Sequence, residues 1–147
     1  MRLEDGRVIT NFIQAALNKK PMIVHGDGMQ TRSPAFVTDT INGLIHLLES
    51  ETITQFSSIE QRIFNVGTPH EYSINEIAHA VNSIALKYLG YTVPITHITH
   101  IDPTDPKIRR PDISRIALAT GFQPSISFES GLEAMFLNYY KNEHSHF

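Results

Sequence analysis

An α/β fold, mostly helical with a few short strands, is predicted by three observations. Apolar residues recur at helical spacing in five segments. Short apolar runs, ended by glycine or interrupted by proline, lie between them. Helix and strand signals alternate along the chain instead of grouping. The 147 residues suit one domain, expected over 1–140, followed by a frayed tail over 141–147.

The first helix is expected from about Gly6 to Asn18, with Ile9, Phe12, Ile13, Ala16 and Leu17 on one face. Asp5 is its expected cap, Lys19 and Lys20 suit its negative end, and Pro21 stops it. Met22-Ile23-Val24 is a short strand closed by the turn Gly26-Asp27-Gly28. Gln30 to Phe36 is extended, and Pro34 confines it to an edge or loop. The second helix starts near Thr38 and carries Ile41, Leu44, Ile45 and Leu48 on one face. Arg62 to Gly67 reads as a buried strand. Ser73-Ile74-Asn75-Glu76 is a capping box, and the helix behind it buries Ile77, Ala78, Val81, Ile84 and Tyr88 before ending at Gly90. Thr92 to Ile98 is an edge strand because of Pro94, and 99–111 is a proline-bearing loop. Asp112 caps a short helix stopped by Gly121. Phe128, Leu132, Met135, Phe136 and Tyr139 mark the last helix. Three or four short strands make a poor doubly wound sheet, so the pattern is that of the smaller part of something larger. An apolar face around Phe12, Ile63 and Phe64 is therefore expected to lie uncovered.

Composition removes several function classes. The net charge of −3 lacks the basic excess of a general nucleic-acid binder. No run of apolar residues is long enough to span a membrane as a helix. With no cysteine there is no disulfide, zinc–thiolate site or thiol nucleophile. His97 and His100, three apart on a strand, point to opposite faces and form no chelate, so no metal site is expected. No Gly-x-Ser-x-Gly elbow anchors a hydrolase triad.

Two loops could carry chemistry. In Gly26-Asp27-Gly28-Met29-Gln30-Thr31-Arg32, two glycines free the backbone to approach a ligand and an arginine follows. Arginine suits phosphate because its planar fork makes two parallel hydrogen bonds. A β-turn with a surface arginine fits the same residues. In Arg109-Arg110-Pro111-Asp112, proline fixes the backbone before a helix cap. A solvated basic pair is the plainer reading there.

Taken in order, Asp5-Gly6-Arg7-Val8-Ile9-Thr10-Asn11-Phe12-Ile13, Gly26-Asp27-Gly28-x-Gln30-Thr31-Arg32, Phe36-Val37-x-Asp39, Phe64-Asn65-Val66-Gly67 and Arg109-Arg110-Pro111-Asp112-Ile113 resemble the extended short-chain dehydrogenase/reductases acting on nucleotide sugars. The likeness runs from Met1 to about Tyr140 and is greatest to the UDP-glucuronate decarboxylases (UDP-xylose synthases). dTDP-glucose 4,6-dehydratases and UDP-sugar epimerases are the neighbours. Such enzymes carry a Gly-rich dinucleotide fingerprint and a Tyr-x-x-x-Lys pair, and neither occurs here. The resemblance therefore implies the C-terminal, substrate-binding part of the fold without its Rossmann core.

Carried over by position, Arg7 would lie near the NAD pyrophosphate or the sugar. Val8, Asn11 and Phe12 would approach the uridine. Gln30 and Arg32 would hold the ribose and a phosphate. Arg109 would face the diphosphate or sugar, as carboxylate contact or proton donor after CO₂ leaves. No other catalytic residue is implied in this chain. His25, where the family usually has tyrosine, and Ser33-Pro34-Ala35 depart from the pattern. NAD is the family cofactor, and none is expected to bind this chain alone. The implied partners are a UDP-sugar and the missing Rossmann half, a full-length homologue or a second copy. The alternatives are a non-catalytic truncated paralogue, or a piece of a dehydratase or epimerase. A cytoplasmic location, or a Golgi-associated one through an upstream anchor, goes with the family.

Overall fold

The computed structural model describes residues 6–55, 57–99 and 106–144. Asp5 and His100, and the part of the expected tail over 145–147, lie outside them. The elements run α1 (Val8–Leu17), β1 (Met22–His25), β2 (Thr31–Arg32), α2 (Val37–Glu49), β3 (Tyr72–Ser73), α3 (Ile74–Leu89), β4 (Ile95–Ile98), α4 (Ser114–Thr120) and α5 (Phe128–His144). Two short 3₁₀ turns, Glu51–Gln55 and Glu60–Arg62, follow α2. Strand β1 pairs in parallel with β4, and β2 pairs antiparallel with β3.

One core joins α1, β1, α3 and α5. Phe12, Ile13, Met22, Val24, Ile77, Val81 and Phe136 are fully buried in it. Helix α3 starts as its capping box dictates. Glu76 N–H donates to Ser73 Oγ, and Ser73 N–H donates to Glu76 Oε2 at 2.7 Å. Gly90, at φ +77°, closes the helix. Asn82 then bonds both backbone groups of Val93 at 2.9 Å, which returns the chain toward β4. Tyr88, expected inside, is partly exposed, because its hydroxyl donates to Glu133 on α5 at 2.6 Å.

A smaller core gathers Ile113, Ile116 and Phe122 under Leu47, Phe64 and Val66. It sets the orientation of α2. Helix α2 begins at Val37, and its inward face is Asp39 and Gly43, not the aliphatic stripe. A side chain at Gly43 would collide with Val66, so glycine permits this approach. Ile41, Leu44, Ile45 and Leu48 are instead exposed, with Leu48 at 87%. No described element lies opposite them.

Residues 63–66 are not a strand. Ile63 has extended dihedrals (φ −92°, ψ 120°), but no described strand pairs with the segment. Arg115 of α4 donates to the carbonyls of Glu60 and Ile63 at 2.6 and 3.0 Å, holding it from one side. Of the apolar face expected to be uncovered, Ile63 is exposed and Phe64 half-buried, whereas Phe12 lies in the main core. The larger uncovered surface is the α2 stripe.

Other differences concern helix ends. Helix α1 begins at Val8 after Arg7, with no side-chain cap, because Gly6 turns the chain at φ +72° just before it. Helix α4 begins at Ser114, two residues after the expected cap. Asp112 Oδ1 still accepts from Ser114 N–H at 2.9 Å. Helix α5 continues to His144, into the predicted tail.

Asp39 is buried (2% exposed) and accepts three hydrogen bonds: from Ser125 N–H at 3.2 Å, Ser125 Oγ at 3.1 Å and Ile126 N–H at 2.9 Å. It ties the first turn of α2 to the loop before α5. Replacing it would take the shared acceptor from two partly buried backbone donors. Asp39→Ala should lower stability by about 2–4 kcal/mol in urea unfolding. A loss under about 0.5 kcal/mol would show that the tie is not structural.

Candidate functional site

The site is built on a turn. Asp27 Oδ1 accepts from Met29 N–H at 3.0 Å, a side-chain-closed turn that aspartate makes locally. Gly26 and Gly28 both take φ +72°, which a residue with a Cβ adopts reluctantly. The turn docks on the first residues of α3. Asn75 N–H donates to the Gly28 carbonyl at 3.1 Å, Asn75 Nδ2 to the Asp27 carbonyl at 2.9 Å, and Ile74 N–H to the Gln30 carbonyl at 3.0 Å. His97 Nδ1 lies 2.9 Å from the Gly26 carbonyl and is therefore the protonated ring nitrogen in that contact.

Beyond the turn, β2 carries Arg32. Its guanidinium donates to the carbonyls of Thr31 at 2.7 Å and Pro106 at 3.1 Å. Thr31 N–H donates to the Lys107 carbonyl at 2.8 Å, so the strap ahead of Arg109 is bonded to β2. On the other side of β2, Tyr72 stacks on Phe128 at 4.1 Å. Burial, with Glu129 and Glu76 nearby, raises the Tyr72 hydroxyl above the ordinary phenol range, so it stays neutral.

These pieces enclose an open cavity of about 850 Å³. Arg7, Val8, Asn11, Phe12, Gln30, Arg32 and Arg109 all line it, with His25 at its edge. Ala15, Ile23 and Ile74 add apolar surface. Asn11 Nδ2 donates to the Gly6 carbonyl at 3.2 Å, and Gln30 Nε2 to the His25 carbonyl at 2.9 Å, so both amides are held. Phe12 is 1% exposed and forms wall, not a face for stacking. Arg110 does not join the lining. It pairs with Glu71 at 3.2 Å.

Three arginines from separate stretches of chain thus meet on one concave, partly apolar surface, the form of a site for an anionic organic ligand. The glycine turn leads from β1 into a strand, not a helix. This turn is therefore not the strand–glycine–helix cradle that takes a dinucleotide pyrophosphate.

Residues 4–135 match the family model described as GDP-mannose 4,6 dehydratase. The chain belongs to that family. It is the epimerase/dehydratase branch of the extended short-chain dehydrogenase/reductases, and this chain matches its C-terminal part. UDP-glucuronic acid decarboxylase 2 of Arabidopsis thaliana is 37% identical over 138 residues, covering 92% of this chain but 27% of that protein. A UDP-glucuronic acid 4-epimerase from Bacillus cereus, solved with UDP-glucuronic acid and NAD, superimposes with a TM-score of 0.75 at 27% identity, over 94% of this chain and 40% of its own. An epimerase from Methanothermobacter thermautotrophicus shares the fold at a TM-score of 0.78 and 23% identity, over 95% of this chain and 38% of its own. The chain spans about a third of the length of the curated relatives it matches.

Sequence reasoning missed Glu71. No motif marks it, and its partners, Thr31 and Arg110, lie far away along the chain in both directions. It also missed the bond between β2 and the strap at 106–107, which no local pattern announces.

Gly28 and Gly90 separate two effects of glycine. Both have positive φ, but an added Cβ would strike the Asn75 side chain at Gly28 and meet nothing within 4 Å at Gly90. Gly90→Ala should cost about 1 kcal/mol from backbone strain alone, and Gly28→Ala clearly more. Equal losses in thermal unfolding would mean that the turn is not pressed against α3.

Proposed function

We propose that this chain is the substrate-binding portion of a UDP-glucuronate decarboxylase-like enzyme. The observation that carries the reading is the convergence of Arg7, Arg32 and Arg109 on one cavity, in a chain 37% identical to a UDP-glucuronic acid decarboxylase. The cavity suits a long, anionic ligand with an apolar-faced base. Arg32, steadied by two backbone carbonyls, grips one phosphate of UDP. Gln30 binds the ribose, and Val8 and Asn11 flank the uridine. Arg109 takes the second phosphate or the sugar carboxylate, and it is the candidate proton donor to the ring once CO₂ has left. Arg7 sits at the seam, toward the sugar or the cofactor.

In the whole enzyme UDP-glucuronate would be oxidised at C4, lose CO₂ as a β-keto acid, and be reduced again to UDP-xylose. NAD supplies that reversible two-electron oxidation. Its cradle and the Tyr-x-x-x-Lys pair belong to the Rossmann half. No step that needs them is assigned to these residues. The exposed stripe of α2, with the exposed Ile63, supports a covering partner: the Rossmann half or a full-length homologue. The same surface supports a second reading, a non-catalytic paralogue docked on such a homologue.

Two outcomes are expected. Mixed with NAD and UDP-glucuronate, the 147-residue chain forms no UDP-xylose above a protein-free control. Turnover would contradict the division of labour. In calorimetry with UDP, Arg32→Ala or Arg109→Ala weakens binding about ten- to a hundredfold, and lysine at either place does not fully rescue. Arg110→Ala should cost less than Arg109→Ala. Equal losses at 109 and 110, or binding untouched by Arg32→Ala, would overturn the assignments.

A further inference from the structure

The two cavity arginines Arg32 and Arg109 have neighbours that meet on one carboxylate. Glu71 Oε1 accepts from Thr31 Oγ1 at 2.6 Å, and Glu71 Oε2 pairs with Arg110 at 3.2 Å. Thr31 precedes Arg32 and Arg110 follows Arg109. Thr31 and Arg32 lie on a strand, where consecutive side chains point to opposite faces, and of the second pair Arg109 lines the cavity while Arg110 is held outside it. Holding one member of each pair on the outer side therefore turns the other toward the cavity. Glu71 is itself well fixed. It immediately precedes β3, whose Tyr72 and Ser73 pair with Arg32 and Thr31. Its side chain is mostly covered, at 24% exposure. Lysine or arginine would repel Arg110, and an apolar residue would leave it to solvent.

We propose that Glu71 is a positioning residue that sets the spacing of Arg32 and Arg109 for the two phosphates of a nucleoside diphosphate. This rests on the reading of the cavity as a UDP-sugar site. Glu71 does not touch the ligand. Its two bonds hold Arg32 and the Arg109 segment at one separation, so that the guanidiniums meet a diphosphate already spaced. A surface ion pair adds little to stability by itself, so its value here is geometric.

The test compares UDP with uridine, which lacks the phosphates, by NMR titration of wild type, Glu71→Ala, Glu71→Gln and Arg110→Ala. Glu71→Ala should weaken UDP about three- to tenfold and leave uridine unchanged within about twofold. Glu71→Gln, which keeps the acceptor for Thr31 but loses the charge facing Arg110, should fall between. Arg110→Ala should weaken UDP no more than Glu71→Ala does, and the Glu71→Ala/Arg110→Ala double variant should be no weaker than Glu71→Ala. A wild type that binds UDP together with a Glu71→Ala that binds it equally well overturns the positioning role and leaves the UDP reading intact. Parallel loss of UDP and uridine shows a merely structural effect and also overturns it. A wild type that binds no UDP overturns the reading of the cavity, and the role of Glu71 with it.

Discussion

The backbone of Gly28 lies against the Asn75 side chain in the first turn of α3, and the geometry of the cavity follows from that contact. The contact is sealed by three hydrogen bonds from Ile74 and Asn75 to the turn at 27–30. Because α3 buries Ile77, Ala78, Val81 and Ala85 in the main core, the turn inherits its rigidity. The consequences run outward. Strand β1 must end where the turn starts, β2 must lie against β3, and the strap at 106–107 bonds to β2. Arg32 and Arg109 thus reach the cavity by way of backbone fixed to a helix terminus. Loop residues that bind ligands are commonly held by a rigid scaffold in this manner.

The molecule has a finished side and an unfinished one. Around α1, α3 and α5 apolar residues are buried and polar ones bonded, as at Asn82 and Tyr91, whose hydroxyl donates to the Ala16 carbonyl at 3.0 Å. Around α2 the order is reversed. A buried aspartate and a glycine face inward while isoleucines and leucines face out. Such an arrangement is stable only if the inner contacts suffice, and here the Asp39 bonds and the close approach permitted by Gly43 supply them. The outer stripe is left uncovered by the described residues. A chain covering about a third of its relatives' length is where such a face is expected.

Local signals were legible where local chemistry decides. The capping box at Ser73, the αL glycines at 90 and 121, and the apolar faces of α1 and α5 follow from short-range rules that tertiary structure did not override. For α2, periodicity marks which side is apolar but not whether this chain covers it. Residues 62–67 were misread for a related reason. A run such as Ile63-Phe64-Asn65-Val66 has strand composition, but a strand exists only when a partner pairs with it. The cavity residues were legible only as a family pattern. Nothing in Arg7, Asn11, Gln30, Arg32 or Arg109 taken singly announces that they meet. Glu71 was illegible because its contacts with Thr31 and Arg110 are made across the fold.

The central claim is that the cavity binds a nucleoside diphosphate with its phosphates between Arg32 and Arg109. A crystal structure of this chain grown with UDP tests it most directly. The account predicts density for UDP inside the cavity, the diphosphate within hydrogen-bond reach of both guanidiniums and the uracil toward Val8 and Asn11. UDP bound elsewhere on the surface, or lying in the cavity with its phosphates turned away from Arg32 and Arg109, would contradict it.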